Sequence, residues 1–153
     1  MKKTACFPGS FDPFTKGHES IITKALPVFD EIIIGVGINS SKTYYYPLEA
    51  RLKHIASIYA DEPKIKIQTY QKLTVDFCKD INAQYILRGL RDTKDFEYEK
   101  AIAQMNLKLS DIETLFFITD PEVATISATI IREIARNHGN IEQFVTNSDI
   151  LVL

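Results

Sequence analysis

The chain has 153 residues, 45% hydrophobic and 25% charged, a composition that fits one globular unit and excludes disordered, collagen-like and low-complexity chains. Eighteen basic residues against twenty acidic ones give a net charge of -2. A broad electrostatic grip on nucleic acid or on an anionic membrane therefore has no support, and any phosphate site has to be built locally.

Lys3–Phe7 reads as a short strand ended by Pro8-Gly9. A helix over Gly17–Ala25 follows, limited by Pro27. Glu31–Ile38 is nearly continuous and β-branched, the pattern of a strand covered on both faces. Pro47 suits the first turn of a helix over Leu48–Tyr59, with Leu48, Leu52, Ile55 and Tyr59 on one face. Lys64–Tyr70 alternates strictly, which predicts a half-exposed strand near a sheet edge, and Val75–Ile81 predicts a short helix. Gln84–Leu87 is the fourth strand candidate. Asp95–Leu109 carries Phe96, Ile102, Met105 and Leu109 at helical spacing, with Asp95 as its N-cap. Thr114–Ile118 is the fifth strand, and a helix over Ser127–Asn137 is capped by Ser127 and closed by Gly139. Strand and helix in alternation with short connections predict an α/β fold. The reading is a single doubly wound, Rossmann-like domain over residues 1–153, with a five-stranded parallel sheet.

In such folds ligands bind beyond the carboxyl ends of the strands, near the point where strand order reverses. The loops to inspect are Pro8–Lys16, Asn39–Tyr46, Arg88–Lys94 and Thr119–Ile126. In the first, Gly9 permits a backbone turn beside Ser10, and Gly17 and His18 open a helix whose unpaired N–H groups suit an anion. His54, inside an amphipathic helix, and His138, before the helix-closing Gly139, read as structural. Asp12 reads as a loop brace, and Tyr44-Tyr45-Tyr46 as packing or a subunit contact rather than base stacking. Cys6 and Cys78 stand far apart with no CxxC motif, so reduced buried thiols are expected, not a disulfide or zinc site. No apolar run nears the roughly 18 residues of a membrane helix. Behind Lys2 and Lys3, residues Pro8, Gly9, Asp12, Pro13 and Lys16 break any signal-peptide core, so a cytoplasmic location is expected.

Thr15-Lys16-Gly17-His18 resembles the (T/H)xGH motif of the nucleotidyltransferase superfamily, and PGSFDPFTKGH resembles the opening of bacterial phosphopantetheine adenylyltransferases. Arg88-Gly89-Leu90-Arg91 with Asp95-Phe96-Glu97-Tyr98-Glu99 is similar to that family's RGLR…DFEYE signature. Ser40-Ser41-Lys42 with Leu48-Glu49-Ala50-Arg51 resembles its substrate-lysine loop and following helix, and the segment from Thr125 to Glu133 its ISS-type helix start. The resemblance runs in register from about residue 4 to residue 144.

It implies transfer of the adenylyl group of ATP to 4′-phosphopantetheine, giving dephospho-coenzyme A and pyrophosphate. The roles it implies are His18, Ser10 and Lys42 in catalysis, and Ser10, Lys42, Thr74 and Arg88 in holding the acceptor. For ATP it implies Ser10, Phe11, His18, Gly89, Leu90, Arg91 and Glu99. It adds Ala124, Thr125, Ile126, Ser127, Ala128, Thr129 and Ile130 to the nucleotide site. Gly89 would let the backbone approach the nucleotide. Magnesium would travel with ATP, since no carboxylate cluster marks a cage. A homohexamer is implied, with no nucleic-acid or membrane partner. Phe7, Lys72, Ala124 and Ala128 depart from the family pattern but remove none of Ser10, His18, Lys42, Arg88 or Arg91. The rivals are a nicotinate-mononucleotide adenylyltransferase or cytidylyltransferase, a non-catalytic nucleotide sensor, and a flavodoxin-like carrier. RGLR…DFEYE speaks against the first, the intact His18 and Lys42 against the second, and the Gly17-His18 helix start after the first strand against the third.

Overall fold

Five strands and five helices alternate along the chain in the computed structural model, which describes residues 1–153. They are β1 (Thr4–Gly9), α1 (Lys16–Ala25), β2 (Glu31–Gly37), α2 (Leu48–Ile58), β3 (Ile65–Tyr70), α3 (Thr74–Asp80), β4 (Tyr85–Leu90), α4 (Thr93–Ser110), β5 (Glu113–Ile118) and α5 (Ala128–Arg136). All strand pairs are parallel, in the order β3-β2-β1-β4-β5. The chain winds outward from β1 to β3 and then crosses back to β4 and β5. Strand order therefore reverses between β1 and β4, where an open α/β sheet places its ligand.

Side-chain alternation along the strands sorts the core into two layers. Ala5, Phe7, Ile32, Ile34, Val36 and Leu87 share one cluster with Ile21 and Ile22 of α1 and Ile55 of α2. Cys6, Ile33 and Ile86 face the other way, onto Val75, Phe77 and Cys78 of α3. β2 is buried almost throughout, as its continuous apolar run predicts, and β3 is the half-exposed edge strand. Both cysteines are buried free thiols. No helix is long and apolar enough to cross a membrane.

Several boundaries differ from the sequence reading. β1 runs through Pro8 and Gly9 instead of ending before them. Its ladder with β2 continues to Gly9–Val36, whereas its pairing with β4 stops at Cys6–Ile86. Pro8 turns its carbonyl to the β4 side, where the Arg88 guanidinium donates to it at 2.9 Å. In a parallel strand the missing N–H lies on that same unpaired side, so the ladder loses nothing. β4 extends to Leu90, which puts Arg88, Gly89 and Leu90 in the strand, paired with Phe116, Phe117 and Ile118. The N-cap of α4 is Asp92, not Asp95: the Asp92 carboxylate accepts the Asp95 N–H at 2.9 Å. Ser127 occupies the N-cap position of α5 but makes no side-chain cap bond. Beyond α5 it is His138 that takes the left-handed conformation (φ 60°), not Gly139.

The apolar residues of α4 do not pack inward. Phe96, Tyr98, Ile102, Met105 and Leu109 are exposed, and Glu99 is the helix's only buried residue. Residues 141–151 strap α1 to α2. Phe144 O accepts from Lys16 N–H, Thr146 donates its hydroxyl to Glu19, and His54 Nε2 lies 2.7 Å from Thr146 O. His54 is thus a buried tie, in keeping with its structural reading.

Candidate active site

The N-terminus of α1 shows what the Thr-Lys-Gly-His spacing is for. Thr15 is the N-cap and His18 the third helical residue; the Thr15 hydroxyl accepts the His18 N–H at 3.5 Å, and Thr15 N–H donates to His18 Nδ1 at 2.9 Å. It is a capping box with imidazole in place of the usual glutamate. Because Nδ1 accepts, the ring proton is assigned to Nε2, the nitrogen left free for a ligand. Phe7, Phe11 and Phe14 pack around the imidazole at centroid distances of 6.1, 5.0 and 5.1 Å. Burial, then the positive charges of Arg88 and Arg91, lower the His18 pKa to about 3. His18 is therefore a neutral, oriented N–H donor at physiological pH.

The loop before it turns at Phe11 (φ 48°), not at Gly9, and passes through a cis Asp12–Pro13 peptide bond. Gly9 is required for a different reason: a Cβ there would sit 2.9 Å from the Phe11 ring. Gly89 is likewise a packing glycine. Its added Cβ would meet Ile21 at 2.8 Å, so its small size seats α1 against β4.

Arg88 occupies the gap where β1 and β4 stop pairing. Nε and Nη2 donate to the two carboxylate oxygens of Glu99 at 2.9 and 2.6 Å, and Nη1 donates to Pro8 O. Burial opposes the charge on Arg88, but the Glu99 carboxylate outweighs it, so the guanidinium stays charged. Arg91 is paired with Asp95, whose carboxyl is held below its ordinary value by that hydrogen bond.

Lys42 reaches across from the loop after β2, its ammonium donating to Ser10 Oγ at 3.2 Å. Asp12 is the brace expected of it: its two oxygens accept Tyr45 N–H and Tyr46 N–H at 2.7 and 2.8 Å. Arg132 donates to Asp12 O and to Thr129 Oγ1, joining α5 to the same loop.

A cavity of about 410 Å³ brings together Ser10, Phe11, His18, Lys42, Arg88, Gly89, Arg91, Glu99, Ile126, Ser127, Ala128 and Thr129. A second, of about 210 Å³, is lined by Thr74 and shares Pro8, Gly9, Arg88 and Glu99 with the first. Leu90, Ala124, Thr125 and Ile130 line neither; Leu90 is buried and Ile130 exposed. Lys72 pairs with Asp80 away from both. Sequence reasoning passed over Tyr70, Ile102 and Asn106 of the second cavity and Asp95 and Thr119 of the first. The spacing of Glu99, Ile102 and Asn106 along α4 was the available signal for one side of the second cavity.

Residues 6–134 match the cytidylyltransferase-like family model. The chain is 50% identical over 145 residues to a phosphopantetheine adenylyltransferase of Bacteroides thetaiotaomicron, covering 95% of each protein. It is 52% identical over 145 residues to that of Christiangramia forsetii, again covering 95% of each. The chain belongs to the phosphopantetheine adenylyltransferase family. A solved structure from Vibrio parahaemolyticus matches with a TM-score of 0.73 over 99% of this chain and 92% of that one, at 19% identity. A bifunctional NMN adenylyltransferase/ADP ribose pyrophosphatase from Francisella tularensis also gives 0.73, over 95% of this chain and 45% of that one, at 18% identity. At such identities these two speak for the Rossmann-like fold alone. The phosphopantetheine adenylyltransferase relatives carry the family assignment.

A neutral His18 has a measurable signature. Its folded pKa lies below the value near 6.5 of an unfolded chain, so the stability it contributes is complete above that pH and is lost as pH falls toward 3. In the ligand-free protein, the His18 ring resonances followed by NMR should show no titration midpoint between pH 8 and pH 5. A midpoint near 6.5 contradicts the assignment.

Proposed function

We propose that the two connected cavities hold the two substrates of adenylyl transfer, with Arg88 and Glu99 at their junction. Phosphopantetheine adenylyltransferase is a nucleotidyltransferase of coenzyme A biosynthesis: it transfers the adenylyl group of ATP to 4′-phosphopantetheine, giving dephospho-coenzyme A and pyrophosphate. The observation that carries the division of the site is that one arginine faces both cavities, beside the α1 N-terminus and Lys42.

In this reading the triphosphate lies in the larger cavity, between the N-termini of α1 and α5, where free N–H groups favour an anion. Ser127, unused as a cap, offers its hydroxyl there. The pantetheine arm enters the smaller cavity past Thr74, Tyr70 and Asn106, and its phosphate reaches Arg88. An oxygen of that phosphate attacks the α-phosphorus of ATP, forming a new P–O bond as the bond to the β-phosphate breaks. Lys42 and Ser10, 3.2 Å apart, hold the attacking phosphate, and Arg91 the departing pyrophosphate. His18 Nε2–H points its proton at the charge that grows on the transferred phosphoryl oxygens. Both substrates carry negative charge, so positioning and charge stabilisation supply the catalysis, without a covalent intermediate.

Magnesium accompanies ATP in this proposal. No three or more His, Cys, Asp or Glu side chains gather into a ligand set, and Asp95 and Glu99, the carboxylates in the cavity beside Asp12, are engaged by Arg91 and Arg88. The ion is then held by phosphate oxygens and water, neutralising charge on the triphosphate. The whole chain acts as one nucleotidyltransferase domain in the cytoplasm, with no nucleic-acid or membrane partner. Incubated with Mg-ATP and a panel of 4′-phosphopantetheine, nicotinate mononucleotide and glycerol 3-phosphate, the protein should release pyrophosphate with the first alone. Equal or faster turnover with nicotinate mononucleotide overturns the assignment of the smaller cavity.

Assembly as a homohexamer is part of the same proposal. Tyr98, Ile102, Met105 and Leu109 form an exposed apolar stripe on α4, with Met105 58% exposed. A contiguous apolar patch of that kind marks a protein contact. Light scattering at micromolar concentration should give a mass near six times the 17.4 kDa chain, and Met105→Glu should lower it. A wild-type mass of one chain refutes the hexamer.

A further inference from the structure

Arg51 is 2% exposed and makes no salt bridge, which is an unusual state for a guanidinium. Its partners explain why it is there. Nη1 donates to Ser10 O at 2.7 Å, in the loop after β1. Nε donates to Tyr46 O at 3.0 Å, at the end of the loop after β2. Its guanidinium carbon lies over the Tyr44 ring, 4.2 Å from the centroid.

Tyr44 is itself a strut across the Lys42 loop. Its hydroxyl accepts the Asn39 N–H at 3.0 Å and donates to Gly37 O at 3.4 Å, spanning the start of the loop. The Lys42 ammonium lies 5.4 Å from the centroid of the same ring. The ring thus carries Arg51 and Lys42 together, although like charges repel. Asp12 is the carboxylate whose charge acts on Arg51, and both its oxygens are occupied by Tyr45 and Tyr46 N–H groups. Burial lowers the Arg51 pKa, and the Asp12 carboxylate partly restores it.

We propose that Arg51 is a positioning residue that fixes Lys42 against Ser10, by joining the Ser10 carbonyl, the Tyr46 carbonyl and the Tyr44 ring through one guanidinium. The inference rests on the role given above to Lys42 in holding the acceptor phosphate. Ser10 and Lys42 come from different loops, and Arg51, from α2, is the group that bonds Ser10 O. With the clamp in place, the hydroxyl and the ammonium converge on one anionic group before it arrives. Without it, the Lys42 loop keeps its Asp12 anchors at Tyr45 and Tyr46 but loses the register that sets Lys42. A misplacement of about 1 Å at such a distance from the chemistry can cost as much as 10²-fold in rate.

Arg51→Lys is the informative variant. It keeps a buried cation, but an ammonium has neither the planar face that lies over Tyr44 nor the rigid fork that spaces the two carbonyls. Measured below its unfolding temperature, the variant should raise the KM for 4′-phosphopantetheine about tenfold or more and lower kcat, with the KM for ATP within about threefold of wild type. The decisive readout is a double-mutant cycle with Lys42→Ala, since residues that act through one another are not additive. In the Lys42→Ala background, Arg51→Lys should change the acceptor KM by less than about threefold. Tyr44→Leu, at a half-exposed position, repeats the cycle should Arg51→Lys fail to fold, and should shift the acceptor KM in the same direction. Additive effects in the cycle, or a lower unfolding temperature with all kinetic constants near wild type, overturn the inference. If Lys42→Ala leaves the acceptor KM unchanged, the reading of Lys42 falls and this inference with it. A normal Arg51→Lys enzyme beside an impaired Lys42→Ala enzyme removes the inference alone.

Discussion

Two central strands of one sheet pair for two residues and then stop, at Cys6–Ile86, and the site depends on what occupies the space that this leaves. Backbone groups deprived of a ladder need other partners. The β1 side meets the need with Pro8, which has no N–H to satisfy, and with the Arg88 guanidinium, which takes up the Pro8 carbonyl. Arg88 in turn needs a counter-charge as it leaves water, and Glu99 supplies it from α4. One interruption in a sheet thus fixes an arginine, a helix face and the wall between two cavities. The same interruption frees the loop that carries Ser10 and leads into α1.

Charge is divided within the site according to chemistry. Lys42, Arg88 and Arg91 bring cationic side chains to the site, and in the proposed reaction they meet phosphates already charged in the ground state. His18 is set apart from them. Its cap partner fixes which nitrogen holds the proton, and burial, with the charges of Arg88 and Arg91 beside it, keeps the ring uncharged. A neutral donor binds a ground-state anion less strongly than a cation would, but its direction is fixed in advance. Fixed donors of that kind act most strongly where charge develops, since they need no reorganisation during the reaction.

Element order, sheet class and the residues of the α1 start were legible in the chain, because short β-branched runs, helical spacing and turn residues report local structure directly. The extent of β4 was not, since Arg88-Gly89 reads as a loop until its pairing with Phe116 and Phe117 is seen. The Arg88–Glu99 pair was also hidden. Eleven positions separate the two residues, and only the packing of α4 beside β4 brings them together. The apolar spacing of α4 promised a buried face, yet the face is exposed in the single chain, because periodicity reports that a helix is two-sided and not what covers it. Arg51 stood in a recognisable segment, but nothing in its neighbours announced a buried guanidinium.

The central claim is that His18 acts on the transition state and not on the bound substrates. A group of that kind, once removed, lowers kcat and leaves ground-state affinity nearly unchanged. The direct test is His18→Ala, with steady-state kinetics and calorimetric ATP binding measured on the same preparation. The account predicts a loss of about 10²-fold or more in kcat, with the Kd for ATP within about threefold of wild type. Turnover within about threefold of wild type, equivalent to about 0.65 kcal/mol where 1.36 kcal/mol is tenfold, would contradict it.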